Sequence, residues 1–232
     1  MAGATTVHAW MVAQARHRAA GSALDRQPAW PTAALSPRLG LSHPQTHPAM
    51  TPTIRTVAIC RYGAGNVRSV ELAMQRLGAE LVDDLEGADL AILPGVGSAR
   101  SAMDGLRERG TDDVLRARHA AGQAILGICL GLQLALDESE EDGGVAGLGL
   151  VPGRAVRLRG GRVPRIGWAH VEPGGETYWF AHSYAAETAA TTATSEGVAA
   201  VVESGSFTGV QFHPEKSGAA GARSLEQCLS RA

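Results

Sequence analysis

The stretch AILGICLGLQLA (124–135) leads from an apolar run into a segment with helical spacing through the turn GICLG (127–131). The apolar run predicts a buried β-strand, and LGLQLALDESEE (130–141) predicts a helix. A Gly-x-nucleophile-x-Gly turn is typical of a nucleophile elbow, in which small residues flank a strained turn that lifts one side chain above the sheet. At the start of a helix, Cys129 would meet positive partial charge that favours its thiolate. The turn alone is also compatible with a buried structural cysteine between packing glycines.

The sequence around this turn alternates between strand and helix patterns. Predicted strands are RTVAIC (55–60), AELVDD (79–84), ADLAILPG (88–95) and QAILGIC (123–129). Predicted helices before the turn are SVELAMQRLG (69–78), SARSAMDGLRERG (98–110) and TDDVLRARHAAG (111–122). This alternation predicts an α/β fold with a mostly parallel central sheet and helices on both faces. Beyond residue 150, glycine and β-forming residues predict an antiparallel β extension that returns a last strand to the site.

The bulk composition excludes several classes of protein. The 232 residues carry a formal net charge of −2 and only 4% aromatic residues, so we expect no nucleic-acid partner. No apolar run reaches the roughly 18 residues of a membrane span, so we expect no membrane partner. The 3 cysteines are odd in number and far apart, which argues against a disulfide framework and predicts a cytoplasmic location.

Residues 1–53 differ in composition from the remainder of the chain. Alanine, arginine, histidine and proline dominate there, and Asp25 is the only acidic residue. This composition is compatible with an organelle transit peptide. The alternatives are a disordered extension or a mis-assigned start, with Met50 as the true beginning, and the many prolines favour these because they break a long amphipathic helix. We therefore expect the globular domain to occupy residues 54–232.

A second candidate for chemistry is the segment QFHPE (211–215), which follows the apolar strand pattern GVQF. If strand geometry continues through Pro214, the side chains of His213 and Glu215 project to the same side. A carboxylate in that position would fix the tautomer of the imidazole and stabilise its protonated form. The alternative is a surface histidine beside a solvated glutamate in a turn.

Two glycine-rich loops follow predicted strands, and either one could approach a ligand closely. PGVG (94–97) could supply a backbone N–H to a developing oxyanion, although alone it is merely a turn. YGAGN (62–66) could hold a phosphate. Neither loop contains a dinucleotide-binding or P-loop signature, so the sequence does not predict a nucleotide-binding fold.

Taken together, the elbow, the final HPE and the PGVG loop resemble the class I glutamine amidotransferases. Within that family, six ordered segments resemble the glutaminase subunit of imidazole glycerol phosphate synthase. They are YGAGNVRSV (62–70), PGVGSA (94–99), GICLGLQL (127–134), VPRIGW (163–168), FAHSY (180–184) and QFHPEKS (211–217). The resemblance covers nearly all of residues 54–232, so the order and spacing of the six segments outweigh the structural alternatives for each one.

The resemblance implies a catalytic triad and an oxyanion hole. Cys129 would attack the side-chain amide of glutamine, His213 would act as base and then as acid, and Glu215 would orient His213. The N–H groups of Leu130 and Val96 would form the oxyanion hole. No cofactor and no metal is implied.

The resemblance also assigns five residues to the binding of glutamine. Gly95 and Gly97 belong to the PGVG loop, whose peptide is thought to reorient in this family when the partner is engaged. Gln133, Ser183 and Tyr184 match positions that hold the α-amino and carboxylate groups, mainly through backbone contacts. The ring of Tyr184 has the alternative of simple core packing.

The partner implied by the resemblance is a separate cyclase subunit with a TIM-barrel fold, since this chain is too short to contain one. That subunit would combine the ammonia with a phosphoribulosyl-formimino aminoimidazole carboxamide ribonucleotide, in histidine biosynthesis. Asn66 and Trp168 match the interface side of the family and could couple the two sites. Asn66 could instead cap the following helix, and Trp168 could instead lie in the core.

Three other readings remain. The chain could be the glutaminase subunit of anthranilate, aminodeoxychorismate or pyridoxal phosphate synthesis. It could be an inactive subunit that regulates a partner. It could also be a flavodoxin-like cysteine peptidase that shares only the elbow.

Overall fold

The computed structural model describes residues 55–63 and 67–232. The predictions for residues 1–53 and for Asn66 therefore lie outside the described residues. Strands within the described part are β1 (Thr56–Ile59), β2 (Glu80–Val82), β3 (Leu90–Leu93), β4 (Ala124–Ile128), β5 (Leu136–Ser139), β6 (Val145–Ala146), β7 (Val151–Arg157), β8 (Arg165–Val171), β9 (Glu176–His182), β10 (Tyr184–Glu187), β11 (Thr191–Ser195), β12 (Val198–Ser204) and β13 (Phe207–Val210).

Helices within the same residues are α1 (Val67–Arg76), α2 (Ala99–Glu108), α3 (Thr111–Ala120), α4 (Leu130–Leu134) and α5 (Gly218–Arg231), with short 3₁₀ turns at Glu141–Gly143 and Pro214–Lys216. Among these described helices, none is long and apolar enough to cross a membrane.

The main sheet contains seven strands in the order β11-β12-β13-β4-β3-β1-β2. Strands β1 to β4 and β13 pair in parallel, whereas β11 and β12 extend the sheet in antiparallel pairing. The predicted α/β fold with a mostly parallel central sheet is confirmed. Because the carboxyl ends of parallel strands meet at one edge, the residues after β3, β4 and β13 come together there.

The C-terminal β extension lies in two smaller sheets and in the edge of the main one. Strands β10, β7, β5 and β6 form a four-stranded sheet, and β8 pairs with β9 as an antiparallel hairpin. The last strand, β13, lies beside β4 with Val210 opposite Ile128. The extension thus returns the chain to the elbow, and it does so by a parallel pairing.

The predicted helix over residues 130–141 is wrong beyond its first turn and a half. The helix ends at Leu134, and Leu136–Ser139 instead forms β5. A continued helix would place Asp137, Glu138, Glu140 and Glu141 at its C-terminal end, where the helix dipole is negative and the carboxylates repel one another. Pairing of β5 with β7 gives the same residues extended geometry, with Leu136 and Ser139 buried.

A buried arginine joins the amino ends of two central strands. The side chain of Arg118, on α3, is almost entirely buried and donates to the carbonyl oxygens of Leu85, Glu86 and Ala88 at 2.7, 2.9 and 3.0 Å. It also donates to Ala124 O at the start of β4, at 3.1 Å. Hydrogen bonds from one charged group to several carbonyls offset its desolvation, and they hold β4 beside the loop that precedes β3.

The elbow is packed so closely that only glycine fits at its second small position. A Cβ atom at Gly131 would collide with the carbonyl of Leu93, whose carbon would lie only 2.9 Å away. At Gly127, an added Cβ would meet the ring of Phe207 at 2.7 Å. The two glycines therefore let α4 start directly against β3 and β13.

We expect Gly131→Ala to lower the free energy of unfolding by about 3 kcal/mol or more, because backbone of β3 must move to admit the methyl group. The control is Gly78→Ala, which has open space around it and a φ of +81°, and which should cost only about 1–2 kcal/mol. Urea unfolding followed by circular dichroism measures both. Equal losses in the two variants would contradict the tight packing of the elbow.

Candidate active site

Cys129 occupies a strained backbone position between β4 and α4. Its φ is 53° and its ψ is −107°, a conformation that side-chain-bearing residues seldom adopt. The N–H of Cys129 donates to Val210 O at 2.7 Å, which ties the turn to the end of β13. A nucleophile elbow has this geometry, so the cysteine is not an ordinary core residue between two packing glycines.

The sulfur of Cys129 is buried among polar groups. Gln211 Nε2 donates to Cys129 Sγ at 3.5 Å, and Sγ lies 3.8 Å from Ala181 O on β9. The imidazole of His213 lies close enough to Cys129 for the cysteine side chain to raise its pKa. The residue as a whole is only 6% exposed.

His213 and Glu215 contact each other in a way that the sequence did not predict. Strand β13 ends at Val210, and Pro214–Lys216 forms a 3₁₀ turn, so the expected strand geometry through Pro214 is wrong. Proline fits the first position of such a turn because its φ is fixed and its missing N–H is not needed there. The turn brings His213 Nδ1 within 2.9 Å of Glu215 Oε1, and both side chains are at least 96% buried. A solvated surface pair is therefore excluded.

The backbone around His213 is fixed from both sides. Its N–H donates to Trp179 O at 2.8 Å, and its carbonyl accepts from Ser217 Oγ at 2.6 Å. Ser217 Oγ in turn accepts from the N–H of Trp179 at 2.9 Å. These bonds attach the 3₁₀ turn to β9 and hold the imidazole beside the elbow.

The pKa of His213 is raised to about 9. Burial by itself would lower this pKa, but the hydrogen bonds to Cys129 and Glu215 and the charges of both groups outweigh it. An imidazole that keeps its proton at neutral pH favours the thiolate form of its cysteine partner. The arrangement can therefore hold an ion pair poised for nucleophilic attack.

The loop after β3 lies directly against the elbow. Gly95 is buried, and an added Cβ there would meet Gly131 N at 2.5 Å, whereas Val96 and Gly97 are exposed. Tyr62 Oη donates to Pro94 O at 2.6 Å and anchors the start of the loop. Leu130 is the first residue of α4, so its N–H belongs to the helix turn that lacks intrahelical partners. Gly95, the residue before Val96, thus lies against Leu130, and the role of Val96 and Leu130 as oxyanion donors stays a prediction.

Two of the residues predicted to hold glutamine, Gln133 and Tyr184, belong to a hydrogen-bonded network with Gln211 and His182. Gln133 Nε2 donates to Tyr184 O at 2.8 Å and to Gln211 Oε1 at 3.1 Å. Tyr184 O also lies 2.9 Å from His182 Nδ1, while Ser183 O accepts from the N–H of Leu158. The Tyr184 residue is half-buried. The structure brings these residues to the Cys129 side of the sheet but contains no contact that tests their binding role.

Trp168 lies on the surface. It is 57% exposed, its neighbour Ile166 is 63% exposed, and its ring packs edge-on against Trp179 at 5.8 Å between centroids. The alternative of a core position for Trp168 is therefore wrong. An exposed tryptophan beside an exposed isoleucine is typical of a protein–protein contact.

Sequence reasoning missed two polar residues of the site. Gln211 lies in the QFHPE segment itself, so its closeness to His213 in sequence was a usable signal. His182 lies in FAHSY, and its pKa is lowered to about 4 chiefly by burial, with Arg165 and His213 adding to the effect and its contact with Tyr184 O opposing it. No pattern in the sequence distinguishes this neutral, buried histidine from a surface one.

Comparisons with known proteins agree with the fold and identify the family. The model of the class I glutamine amidotransferase family matches residues 58–231. The chain is 41% identical over 196 residues to imidazole glycerol phosphate synthase subunit HisH of Moorella thermoacetica, covering 75% of this chain and 93% of that relative. The HisH subunit of Symbiobacterium thermophilum is 42% identical over 192 residues, which cover 73% and 91% of the two chains.

A solved structure of a glutamine amidotransferase superposes with a TM-score of 0.64 and 23% identity, covering 76% of this chain and 99% of the other. At that level of identity the superposition supports the fold alone. The family assignment depends on the matched family model and on the relatives above 40% identity. The chain belongs to the class I glutamine amidotransferase family and, within it, to the HisH subunits of imidazole glycerol phosphate synthase.

Proposed function

We propose that this chain is the glutaminase subunit of an imidazole glycerol phosphate synthase and that it hydrolyses glutamine to glutamate and ammonia. One observation carries the chemistry: a cysteine on a strained elbow lies beside a buried histidine that itself contacts a buried carboxylate. The identity to HisH subunits supports the pathway. A cytoplasmic location remains an expectation, and the three free cysteines are consistent with it.

In the first half of the reaction, the Cys129 thiolate attacks the carboxamide carbon of glutamine and forms a tetrahedral intermediate. Its oxyanion would be held by the N–H groups of Leu130 and Val96. His213 holds the proton taken from the thiol and gives it to the leaving nitrogen, so that the C–N bond breaks and ammonia departs. A glutamyl thioester remains on Cys129.

In the second half, water replaces ammonia beside the imidazole. His213 takes a proton from the water, whose oxygen attacks the thioester carbon. The C–S bond then breaks, glutamate leaves, and the sulfur regains its starting state. Glu215 keeps the same ring nitrogen of His213 protonated throughout, because it accepts at Nδ1 and leaves Nε2 to exchange the proton.

The contacts within the buried network limit how glutamine would be held. Both amide hydrogens of Gln133 are directed at acceptors of this chain, so the group it can offer a substrate is Oε1. An acceptor there suits the α-ammonium of glutamine. Gly95 and Gly97 would let the backbone of their loop approach the reacting carboxamide closely.

Ammonia from this site would serve a separate cyclase subunit with a TIM-barrel fold, which uses it on the nucleotide substrate. The exposed pair Ile166 and Trp168 is the surface that we assign to this partner, since burying both would remove a large apolar area from water. Asn66, which the same proposal places at the interface, lies outside the described residues. The two subunits would form a heterodimer.

The other readings receive less support. The relatives at 41% and 42% identity are subunits of imidazole glycerol phosphate synthase, which favours that pathway over anthranilate, aminodeoxychorismate or pyridoxal phosphate synthesis. An inactive regulatory subunit would have no need of the buried Cys129, His213 and Glu215. Glutamine and a peptide tested side by side as substrates would separate the glutaminase from a cysteine peptidase.

We expect Cys129→Ala to abolish ammonia release from glutamine while leaving binding of the cyclase subunit intact. The substitution removes only a sulfur atom from a site distinct from the exposed Trp168 surface. Glutamate formation in a coupled assay and a binding titration measure the two properties. Cys228→Ala, which removes a cysteine from α5, should retain full activity. Ammonia release by Cys129→Ala above a small fraction of the wild-type rate would identify a different nucleophile.

The same variant should lower the pKa of His213 from about 9, since one of the hydrogen bonds that raise it is lost and burial then weighs more. Nitrogen NMR of the imidazole measures this directly. A folded-state pKa above the ordinary 6.5 stabilises the protein fully below pH 6.5 and progressively less as the pH rises to about 9. The free energy of unfolding of the wild type should therefore fall across that window. A His213→Gln variant should lose this component of the slope.

We expect low glutaminase activity from the chain alone and a large increase when the cyclase subunit and its nucleotide substrate are both present. Trp168→Ala should weaken binding of the cyclase subunit about tenfold or more, as is typical for a buried aromatic anchor. Gln123→Ala is the matched control. Gln123 is also exposed, but it lies before β4, at the end of that strand far from Cys129. High activity independent of the partner would leave the glutaminase chemistry intact and contradict the coupling.

A further inference from the structure

Gln211 is a fully buried polar side chain whose role is not explained by the triad. It follows β13 directly and is 0% exposed. Its Nε2 donates to Cys129 Sγ at 3.5 Å, and its Oε1 accepts from Gln133 Nε2 at 3.1 Å. Its backbone N–H donates to Ala200 O at 2.9 Å, so the residue is held at both ends.

The orientation of the Gln211 amide is fixed by a backbone group two hydrogen bonds away. Tyr184 O can only accept, so the end of Gln133 that faces it at 2.8 Å must be the –NH₂ group. The second hydrogen of that –NH₂ group points at Gln211, which must therefore present its oxygen there. It follows that the –NH₂ group of Gln211, and not its oxygen, faces the sulfur.

Two neighbours act on the sulfur in opposite senses. Ala181 O, 3.8 Å away, can accept a hydrogen bond from the thiol but repels the thiolate. Gln211 Nε2 donates and so favours the thiolate. We infer that Gln211 is a positioning residue that stabilises the thiolate of Cys129 and directs it away from the Ala181 carbonyl. This inference rests on the proposed role of Cys129 as nucleophile.

The titratable groups near Cys129 and its neighbour His213 come from three other elements. His213 lies beside the 3₁₀ turn with Glu215 behind it, Tyr62 follows β1, and His182 ends β9 near His213. Burial is the largest cause of the raised pKa of Tyr62, to which the nearby Cys60 and Cys129 add, so the phenol stays neutral. The pKa of His182 is lowered to about 4, so this ring is also uncharged at neutral pH.

The test is the pH profile of alkylation of Cys129 by iodoacetamide, followed on the peptide that contains this residue by mass spectrometry. Burial raises the pKa of both Cys60 and Cys228 to about 12, so these two thiols stay protonated at every pH well below that value. Gln211→Met removes the donor and keeps the length of the side chain. Gln211→Glu keeps its shape and replaces the donor by an acceptor oxygen.

We expect the midpoint of the profile to rise by about one pH unit or more in both variants, a tenfold loss of reactive thiolate below the midpoint. Gln133→Leu should raise the midpoint by less, because Gln211 remains but Gln133 no longer fixes the orientation of its amide. Val210→Ala is the control for packing, since Val210 is a buried apolar neighbour on the same strand and its side chain makes no hydrogen bond to the sulfur. Its midpoint should match the wild type.

Unchanged midpoints in both Gln211→Met and Gln211→Glu, with both variants folded by circular dichroism, would overturn the inference. If Gln211→Met does not fold, the isosteric Gln211→Glu decides the question alone. Alkylation measures the sulfur without any turnover of glutamine, so it is independent of the glutaminase assay on Cys129→Ala. Shifted midpoints together with an active Cys129→Ala would show that Gln211 stabilises the thiolate but would reject Cys129 as the nucleophile.

Discussion

The structure depends on the parallel pairing of β4 with β13, two strands that are far apart in the sequence. This pairing sets Val210 opposite Ile128. The N–H of Cys129, the residue after β4, then donates to Val210 O. The contacts of Gln211 and His213 with Cys129 follow from it, because these two residues can reach the sulfur only while the two strand ends are side by side. The small residues of the elbow serve the same constraint, since α4 must begin against β3 and β13 without side chains in between.

The site is built by burying polar groups in pairs and chains. Three contacts each satisfy a polar atom that would be costly to bury alone. They join His213 to Glu215, Gln211 to Gln133, and His182 to Tyr184 O. Each of these contacts also fixes a direction: a tautomer for His213 and an amide orientation for Gln211. A surface site could bind the same groups but would not hold their donors and acceptors in one arrangement, since water would compete for every one of them.

The fold class, the positions of most early strands and helices, and the grouping of Cys129, His213 and Glu215 could be predicted from the sequence, because each depends on local patterns or on an ordered set of motifs. The helix over residues 130–141 could not, since its C-terminal half forms β5 only through pairing with β7, which is distant in sequence. Likewise, the contact between His213 and Glu215 was expected from strand spacing but is made by a 3₁₀ turn that depends on Pro214 and on the bonds to Trp179. Gln211 shows the same limit: its position in the segment is visible in the sequence, but its contact with sulfur needs the fold.

The left-handed backbone conformation at Cys129 has a consequence for how such a protein can evolve. Glycine adopts this conformation without strain, so replacing Cys129 by glycine would relieve a cost that the active protein carries. At this one position, selection for stability and selection for activity point in opposite directions. A descendant freed from the need to make ammonia would therefore tolerate glycine at position 129, where the backbone of glycine is unstrained.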